Sequence, residues 1–313
     1  MHPNSKIYVA GHRGLVGSAI VRKLESEGAS NLLLRTHEEL DLLNQAQTRE
    51  FFDQEKPEYV FLAAAKVGGI HANNTYPAQF IHQNLLIADN VIHSAYLSGV
   101  TKLLFLGSSC IYPKAPKQPI HEDSLLTDVL EPTNEPYAIA KIAGIKMCES
   151  YNREYGTNYI SAMPTNMYGY GDNFDLETSH VLPALMRKCH EAKERGDDTF
   201  VVWGSGKPMR EFMFSDDLAD ACIYLMKSCN ASEIGSHVNV GTGTDVTIRE
   251  LAEQICEVVG FTGELVFDSS KPDGTPRKLL NVDRLKDLGW SAGTSLRDGL
   301  EKTYEWYLKE HVG

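Results

Sequence analysis

The sequence has no long hydrophobic run. Its longest apolar stretches, Tyr59 to Ala65 and Leu103 to Leu106, are far shorter than the roughly 20 residues that a bilayer-spanning helix needs. The N-terminus carries neither the extended apolar stretch nor the small-residue cleavage site of a secretory signal. We therefore expect a cytoplasmic protein with no membrane association.

The sequence has few cysteines, and its basic residues are fewer than its acidic residues. The six cysteines form no C-x-x-C pair, so the pattern favours neither a disulfide framework nor a zinc site. The 11 histidines include no H-E-x-x-H motif and no Cys–His cluster, and we expect no metal. Thirty Lys and Arg against 42 Asp and Glu give a net charge of −12. This argues against nucleic-acid binding, which requires a basic face.

What the sequence does contain is a regular alternation of strand and helix patterns in its first half. Strand patterns at residues 6–10, 31–34, 59–65, 102–106 and 159–163 alternate with helical ones. This rhythm is typical of an α/β fold built on a doubly wound parallel sheet of Rossmann type. A length of 313 residues suits two domains at about 150 residues each. We place the nucleotide-binding domain at residues 1–165 and a smaller α/β substrate lobe mainly at 166–313, with some segments returning to the first domain.

A glycine-rich turn follows the first strand and opens the first helix. Gly11, Gly14 and Gly17 have the spacing G-x-x-G-x-x-G. Such glycines allow a tight turn, a close approach of backbone N–H groups to a pyrophosphate, and close packing of helix on strand. The pattern predicts a dinucleotide site. A glycine turn without a ligand is the alternative.

The residues after the second strand bear on the choice between NAD and NADP. An acidic residue there would bind the ribose 2′-hydroxyl of NAD, but this strand ends in Arg35-Thr36-His37. Together with Arg13 in the glycine turn, these basic residues favour the 2′-phosphate of NADP. Glu38 and Glu39 follow at once, and either is an alternative candidate for the ribose acid.

A tyrosine and a lysine stand four residues apart, at Tyr137 and Lys141, after the fourth strand. On a helix this spacing places both on one face. We expect the ammonium to favour the phenolate and so to lower the pKa of the phenol. Ser108 follows the strand at 102–106 and could hold a carbonyl oxygen beside the phenol. The alternative is a surface pair on an amphipathic helix.

Several segments together resemble the extended short-chain dehydrogenase/reductases, from about residue 6 to about residue 308. They are Gly11 to Gly14, Ala63 to Ile70, Leu106 to Pro113, Pro132 to Tyr137, Trp203 to Gly206, Met209 to Phe212, and Lys271 to Lys278. Within that family they are similar to enzymes that act on GDP-linked keto sugars. The resemblance implies NADPH-dependent conversion of GDP-4-keto-6-deoxy-D-mannose to GDP-L-fucose, by epimerisation at C3 and C5 and then reduction at C4. It also implies a homodimer.

The same resemblance implies roles for individual residues. It assigns Ser108, Tyr137 and Lys141 to the reduction. It assigns Cys110 and His180 to the epimerisation, without deciding which is the acid and which is the base. The implied substrate contacts are Lys188, Trp203, Arg210 and Asp273. The implied cofactor contacts are Gly11, His12, Arg13, Gly14, Leu15, Val16, Gly17, His37, Asp41, Leu42, Leu106, Gly107, Ser108, Ser109, Lys141, Pro164, Thr165, Asn166, Met167 and His180. One departure is His37, which stands where the resemblance leads us to expect a second arginine.

Each side-chain assignment has a structural alternative. Cys110 could be a buried core thiol, and His180 a solvated or helix-capping residue. Arg210 could pair with Glu211 or Asp216 rather than with a diphosphate. Trp203 could be core at the end of the strand that we expect at residues 199–202, rather than a platform for guanine.

Three other functions compete with this hypothesis. A nucleotide-sugar 4,6-dehydratase needs an acidic pair beside the serine, where this chain has Ser109 and Cys110. A nucleotide-sugar 4-epimerase retains NAD and should carry the ribose acid. A non-catalytic NADP sensor would be free to lose Tyr137 or Lys141, and both are present.

Overall fold

The computed structural model describes residues 1–176 and 178–312. The strands are β1 Ile7–Ala10, β2 Leu32–Leu33, β3 Tyr59–Leu62, β4 Lys102–Leu106, β5 Tyr159–Pro164, β6 Asn166–Tyr168, β7 Thr199–Trp203, β8 Met209–Arg210, β9 Phe212–Phe214, β10 Val238–Val240, β11 Val246–Thr247, β12 Glu264–Asp268 and β13 Arg277–Lys278. The α-helices are α1 Leu15–Ser26, α2 Gln45–Glu55, α3 Ile70–Thr75, α4 Pro77–Leu97, α5 Glu135–Tyr155, α6 Val181–Arg195, α7 Ser215–Ser228, α8 Ala231–Ile234, α9 Ile248–Val259, α10 Asp283–Asp287 and α11 Leu296–Tyr307.

Six parallel strands form the main sheet, in the order β10-β5-β4-β3-β1-β2. All residues of β1 and β4 are buried, as expected for parallel strands covered on both faces. Helices α1 and α7 pack on one face, and α2, α4 and α5 pack on the other. The doubly wound parallel sheet predicted from the sequence is confirmed.

The second half of the chain contributes to this sheet as well. β10 pairs in parallel with β5, and α7 packs against α1. All six strands therefore end at the same edge of the sheet, where ligands of open α/β sheets bind.

A smaller lobe faces that edge. It contains the parallel pair β7 and β12, the three-stranded sheet β11-β8-β13 and the pair β6 and β9. Helices α6, α9 and α11 surround a separate hydrophobic core that includes Leu185, Phe200, Ile255 and Leu300. The short strands β8 and β13 are parallel, with Arg210 opposite Lys278. Two sequence-distant segments of the lobe are thus brought side by side.

The structure shortens two elements that the sequence pattern predicts. The second strand spans only Leu32–Leu33, because it lies at the sheet edge and pairs with β1 alone. The last helix, expected over residues 295–311, ends as an α-helix at Tyr307 and continues as a π-helical turn at Leu308–Val312. In the part of the chain that the structure describes, no helix is long and apolar enough to cross a membrane.

Candidate active site

The glycine turn is shaped to receive a dinucleotide. Gly11 has φ +82°, and a Cβ there would lie 2.7 Å from the backbone nitrogen of Ala64. A Cβ on Gly17 would collide with the carbonyl oxygen of Gly11. Gly14 precedes α1, which starts at Leu15 with no side-chain capping bond. The first N–H groups of the helix are thus left for an anion.

Arg35 does not point toward the glycine turn, although the sequence made it a candidate for the 2′-phosphate. Its guanidinium pairs with Glu55 at 2.8 Å and lies over the ring of Phe51, 5.6 Å from the centroid. The structure therefore commits Arg35 to the contact between β2 and α2. That contact removes it from the candidates for the 2′-phosphate.

Arg13 and His37 remain as exposed basic side chains near the turn. His37 lies 3.6 Å from Asp41. The carboxylate of Glu39 accepts a bond from the backbone nitrogen of Thr36 at 2.8 Å, and this bond lowers the pKa of Glu39. Glu39 thus closes the turn after β2.

The partly buried imidazole of His12 lies within the glycine turn. Its Nδ1 has no hydrogen-bond partner in the described part of the chain. Burial and the charge of Arg13 lower the pKa of His12. An unsatisfied ring nitrogen beside the glycine turn fits a site that a polar ligand completes.

Two neighbouring strands deliver the other expected cofactor contacts. β4 ends at Leu106 and continues through Gly107 to Ser109, while β5 ends at Pro164 and continues through Thr165 to Met167. Gly107 donates its backbone N–H to Ala162 at 3.0 Å. Because β4 and β5 are adjacent and parallel, both segments lie at one edge of the sheet.

Another expected cofactor contact, Leu42, is buried, and its carbonyl oxygen accepts a hydrogen bond from the Asn90 side chain at 2.8 Å.

Tyr137 and Ser108 meet at this edge. Tyr137 stands in the first turn of α5, and its phenol makes a hydrogen bond with Ser108. Burial raises the pKa of Tyr137 well above its ordinary value, Cys110 adds to that rise, and the bond with Ser108 opposes it. The two hydroxyls are arranged to hold one oxygen of a bound carbonyl compound.

Lys141 binds a backbone carbonyl rather than the phenol oxygen of Tyr137. Its ammonium donates to the carbonyl oxygen of Leu106 at 2.8 Å and lies 5.8 Å from the centre of the Tyr137 ring. Burial lowers the pKa of Lys141 to about 8. The prediction that the pKa of Tyr137 is lowered is wrong for this structure, because burial of the phenol dominates and raises it.

Cys110 lies beside this pair, in a one-turn 3-10 helix at Ser109–Ile111. Its backbone nitrogen donates to the Ser108 hydroxyl at 3.2 Å. Its sulfur lies 3.7 Å from the ammonium of Lys278. Cys110 is only partly buried, so it is not enclosed in the core.

His180 is the residue immediately before α6, yet its side chain makes no capping bond. Part of the residue is exposed to solvent, but enough protein surrounds the imidazole that burial lowers its pKa. The charge of Lys278 lowers the pKa further. Lys278 therefore lies close enough to influence both His180 and Cys110.

Arg210 lacks the acidic partners proposed as its structural alternative. Glu211 accepts bonds from backbone nitrogens, including that of Thr242 at 2.7 Å, and Asp216 pairs with Arg22 at 2.5 Å. No carboxylate of residues 1–176 or 178–312 pairs with Arg210. Burial lowers its pKa. A half-buried, unpaired guanidinium is suited to a diphosphate.

Trp203 lies at the end of β7 and is 64% exposed, so the core alternative is wrong. The ammonium of Lys188 lies 4.5 Å from its ring centroid, and that of Lys271 lies 5.4 Å away. Asp273 accepts two bonds from Ser205, at 2.8 and 2.6 Å. The result is an exposed aromatic surface flanked by two cations.

Three residues near the site received no role from the sequence. They are Lys271, Glu211 and Lys278. Two of them occur in the segment Lys271 to Lys278, which carried the resemblance, but no local pattern indicated what they contact. Within the described ranges, no group of three or more His, Cys, Asp or Glu residues could hold a metal ion.

Comparison with known proteins agrees with this geometry. The model of the NAD dependent epimerase/dehydratase family matches residues 7–241. The chain belongs to the NAD dependent epimerase/dehydratase family. This confirms the resemblance to the extended short-chain dehydrogenase/reductases.

Members of the family with named activities match almost the whole chain. GDP-L-fucose synthase 1 of Arabidopsis thaliana is 65% identical, covering 98% of this chain and 94% of its own. GDP-L-fucose synthase of Escherichia coli K12 is 59% identical, covering 97% of each. The crystal structure of a GDP-L-fucose synthetase from Naegleria fowleri bound to NADP is 28% identical, covers 100% and 96% of the two chains, and has a TM-score of 0.91.

Proposed function

We propose that the protein uses NADPH to convert GDP-4-keto-6-deoxy-D-mannose to GDP-L-fucose. The full-length similarity to GDP-L-fucose synthases of a plant and a bacterium supports this reaction. The observation that carries it is the position of Cys110 beside Ser108 and Tyr137. A thiol at that point adds a proton-transfer group to a site otherwise suited to carbonyl reduction.

NADPH fits the glycine turn on the evidence of Gly11 and Gly17, where any side chain would collide with backbone. When bound, NADPH supplies the hydride that reduces the C4 ketone. Arg13 is placed to bind the 2′-phosphate, since Arg35 is committed to Glu55. The N-terminus of α1 attracts the pyrophosphate.

Epimerisation requires proton exchange at the two carbons that flank the ketone. The C4 carbonyl acidifies those C–H bonds, because the electron pair left behind is delocalised onto the carbonyl oxygen as an enolate. Cys110 and His180 are the groups that exchange these protons. Ser108 stabilises the enolate oxygen through a hydrogen bond.

Reduction then requires a proton donor at the C4 oxygen. The raised pKa of Tyr137 means that the phenol keeps its proton at neutral pH, as a general acid must. Lys141, held by the Leu106 carbonyl, remains close to the Tyr137 ring. It adds positive charge as the phenol gives up its proton.

The GDP portion is bound by the smaller lobe. Arg210 is unpaired and suited to the diphosphate, and Trp203 exposes a ring on which guanine can stack. Lys188 and Lys271 flank that ring. Their charge complements the diphosphate.

The test is to mix the protein with NADPH and GDP-4-keto-6-deoxy-D-mannose and follow the loss of absorbance near 340 nm. NMR should identify the product as the L-fuco sugar. A dehydratase would consume no NADPH, and an NADP sensor would convert nothing. If NADPH is consumed but the product keeps the original configuration at C3 and C5, the protein is a C4 reductase without epimerase activity.

Cys110→Ser tests the epimerase part of the proposal. The hydroxyl does not ionise in the working range, so deuterium exchange at C3 and C5 should slow by about two orders of magnitude or more. Exchange at nearly the parent rate, in a variant that melts earlier, would make Cys110 a packing residue. Cys148→Ser is a matched control, because this buried thiol lies outside the site.

A homodimer and a cytoplasmic location also belong to this proposal. Sedimentation equilibrium of the full chain would give the first directly, with a mass near twice 34.8 kDa expected. Microscopy of a tagged chain in its source cells would test the second.

A further inference from the structure

Lys278 is held on both sides by elements of the site. Its backbone pairs with Arg210 of β8. The residue two positions later, Leu280, donates its backbone N–H to the buried carboxylate of Glu211 at 3.1 Å. Leu279 donates its backbone N–H to the Gln118 side chain at 3.0 Å. The segment thus has little freedom to move away from the main sheet.

The Lys278 ammonium lies 3.7 Å from the sulfur of Cys110. Lys278 forms no ion pair with any carboxylate of the residues that the structure describes. A lysine held near a thiol and lacking an acidic partner stabilises the thiolate over the thiol. The contact joins residues 168 positions apart, so it depends on docking of the smaller lobe on the main sheet.

The other ionisable groups around this contact come from several separate segments of the chain. Tyr137 of α5 lies near Cys110, and its raised pKa keeps it neutral. Burial of its imidazole and the charge of Lys278 both lower the pKa of His180, the residue immediately before α6. Arg210 of β8 adds a second positive charge next to Lys278. The nearby carboxylate of Glu211 is occupied by backbone nitrogens.

The neighbouring cation Arg277 is engaged elsewhere. It pairs with Asp245, at 2.6 and 3.0 Å. Of the two basic residues of β13, only Lys278 is therefore directed to the thiol. Lys278 therefore serves as the test position and Arg277 as the control position on the same strand.

We propose that Lys278 is a positioning residue that holds Cys110 in its thiolate form, ready to remove a proton from the sugar. This rests on the proposed function only for the identity of the sugar. The Lys278–Cys110 contact itself makes a claim about thiol reactivity that needs no substrate.

The chemical consequence follows from charge balance. The thiolate removes a proton from a carbon next to the ketone and becomes a neutral thiol, and the electron pair moves to the carbonyl oxygen. A lysine whose charge was balanced by the thiolate is then unbalanced, which favours return of the proton from the thiol. Lys278 thus makes Cys110 a base before the step and a better acid after it.

The experiment measures alkylation of Cys110 by iodoacetamide as a function of pH, with peptide mass spectrometry to separate it from the other cysteines. In alkylation the thiolate sulfur forms a bond to carbon and iodide leaves. The full chain is used, with and without NADP⁺. Lys278→Met should slow the reaction at pH 7 by about tenfold and shift its pH profile upward. Lys278→Arg should keep the rate within about threefold of the parent.

Arg277→Met is the matched control and should react like the parent. Lys278→Gln replaces Lys278→Met if the latter does not fold, as judged by circular dichroism. Parent-like alkylation of the charge-removing variant at every pH would overturn the proposal. So would a raised KM for the keto sugar with unchanged alkylation, which would make Lys278 a phosphate ligand.

Sugar exchange provides the second readout. Deuterium exchange at C3 and C5 should fall in Lys278→Met through kcat, with KM for the keto sugar little changed. If the parent does not convert the keto sugar, the proposed function fails, yet the difference in alkylation still decides the role of Lys278. The two failures are therefore distinguishable.

Discussion

Lys141 donates a hydrogen bond from its ammonium to the Leu106 carbonyl at 2.8 Å, and the ammonium lies 5.8 Å from the centre of the Tyr137 ring. Burial consequently controls the phenol and raises its pKa. The Tyr137 phenol therefore keeps its proton and can donate it, while Lys141 is hydrogen-bonded to the end of β4.

Tyr137→Phe should abolish reduction while leaving epimerisation intact. Removing a general acid costs about 10²- to 10⁴-fold in rate, whereas Cys110 and His180, which exchange the protons at C3 and C5, are unchanged. NADPH oxidation near 340 nm and deuterium incorporation into the keto sugar measure the two steps. Tyr159→Phe is the matched control, since its buried hydroxyl has no partner within the described residues. Loss of exchange together with reduction in Tyr137→Phe would show that the two steps share this phenol.

Arg13→Ala should raise KM for NADPH far more than KM for NADH. A lost charge-assisted hydrogen bond is worth about 1.5–3 kcal/mol, which corresponds to roughly ten- to a hundredfold. Arg35→Ala serves as the control, because its pairing with Glu55 predicts lower stability and unchanged cofactor preference. Steady-state kinetics with both cofactors give the comparison. Equal effects of Arg13→Ala on NADPH and NADH would assign it a structural role.

Asp172→Asn should stabilise the protein at alkaline pH. Burial raises the pKa of Asp172 to about 7, and its Oδ2 has no partner in the ranges described. The folded state therefore binds the proton more tightly than the unfolded state, so this group costs stability as pH rises from about 4 to 7.

At pH 8 the gain from Asp172→Asn should be about 2–4 kcal/mol in urea unfolding, and it should shrink near pH 4. The amide oxygen can still accept the bond from Asn173. Asp128→Asn is a matched control, since this exposed carboxylate also accepts a bond from the next backbone nitrogen. A gain that does not vary with pH would contradict the assignment.

His237 should weaken the fold in acid. Burial lowers its pKa to about 4, and its ring bonds Tyr112 at 2.9 Å and Ser236 at 2.7 Å. Between about pH 6.5 and 4 the unfolded state binds the proton and the folded state does not, so stability falls as pH falls.

His237→Gln removes this dependence. The stability advantage of the parent over the variant should be smaller at pH 4.5 than at pH 7.5 by about 2–3 kcal/mol. Urea unfolding at both pH values measures it. His121→Gln, at an exposed position, should show no such difference. A constant advantage across the range would place the acid sensitivity elsewhere.

Local features of the sequence were enough to predict the nucleotide-binding half of the fold. The strand and helix periods, and the glycines at 11, 14 and 17, depend on interactions between residues a few positions apart. The same local reasoning placed Tyr137 and Ser108 near the strand ends, where the structure brings them together.

The sequence alone determined a parallel α/β fold with a dinucleotide turn, because backbone sterics and hydrophobic period act over short distances. Tertiary structure decided the partners of each charged side chain. In the folded chain Arg35 pairs with Glu55, and Arg210 has no acidic partner among the described residues. Lys141 binds a backbone carbonyl oxygen, and the Lys278 ammonium lies near the Cys110 sulfur. Such pairings depend on how distant segments pack and on which competing charge comes nearer, and neither is encoded in the spacing of residues along the chain.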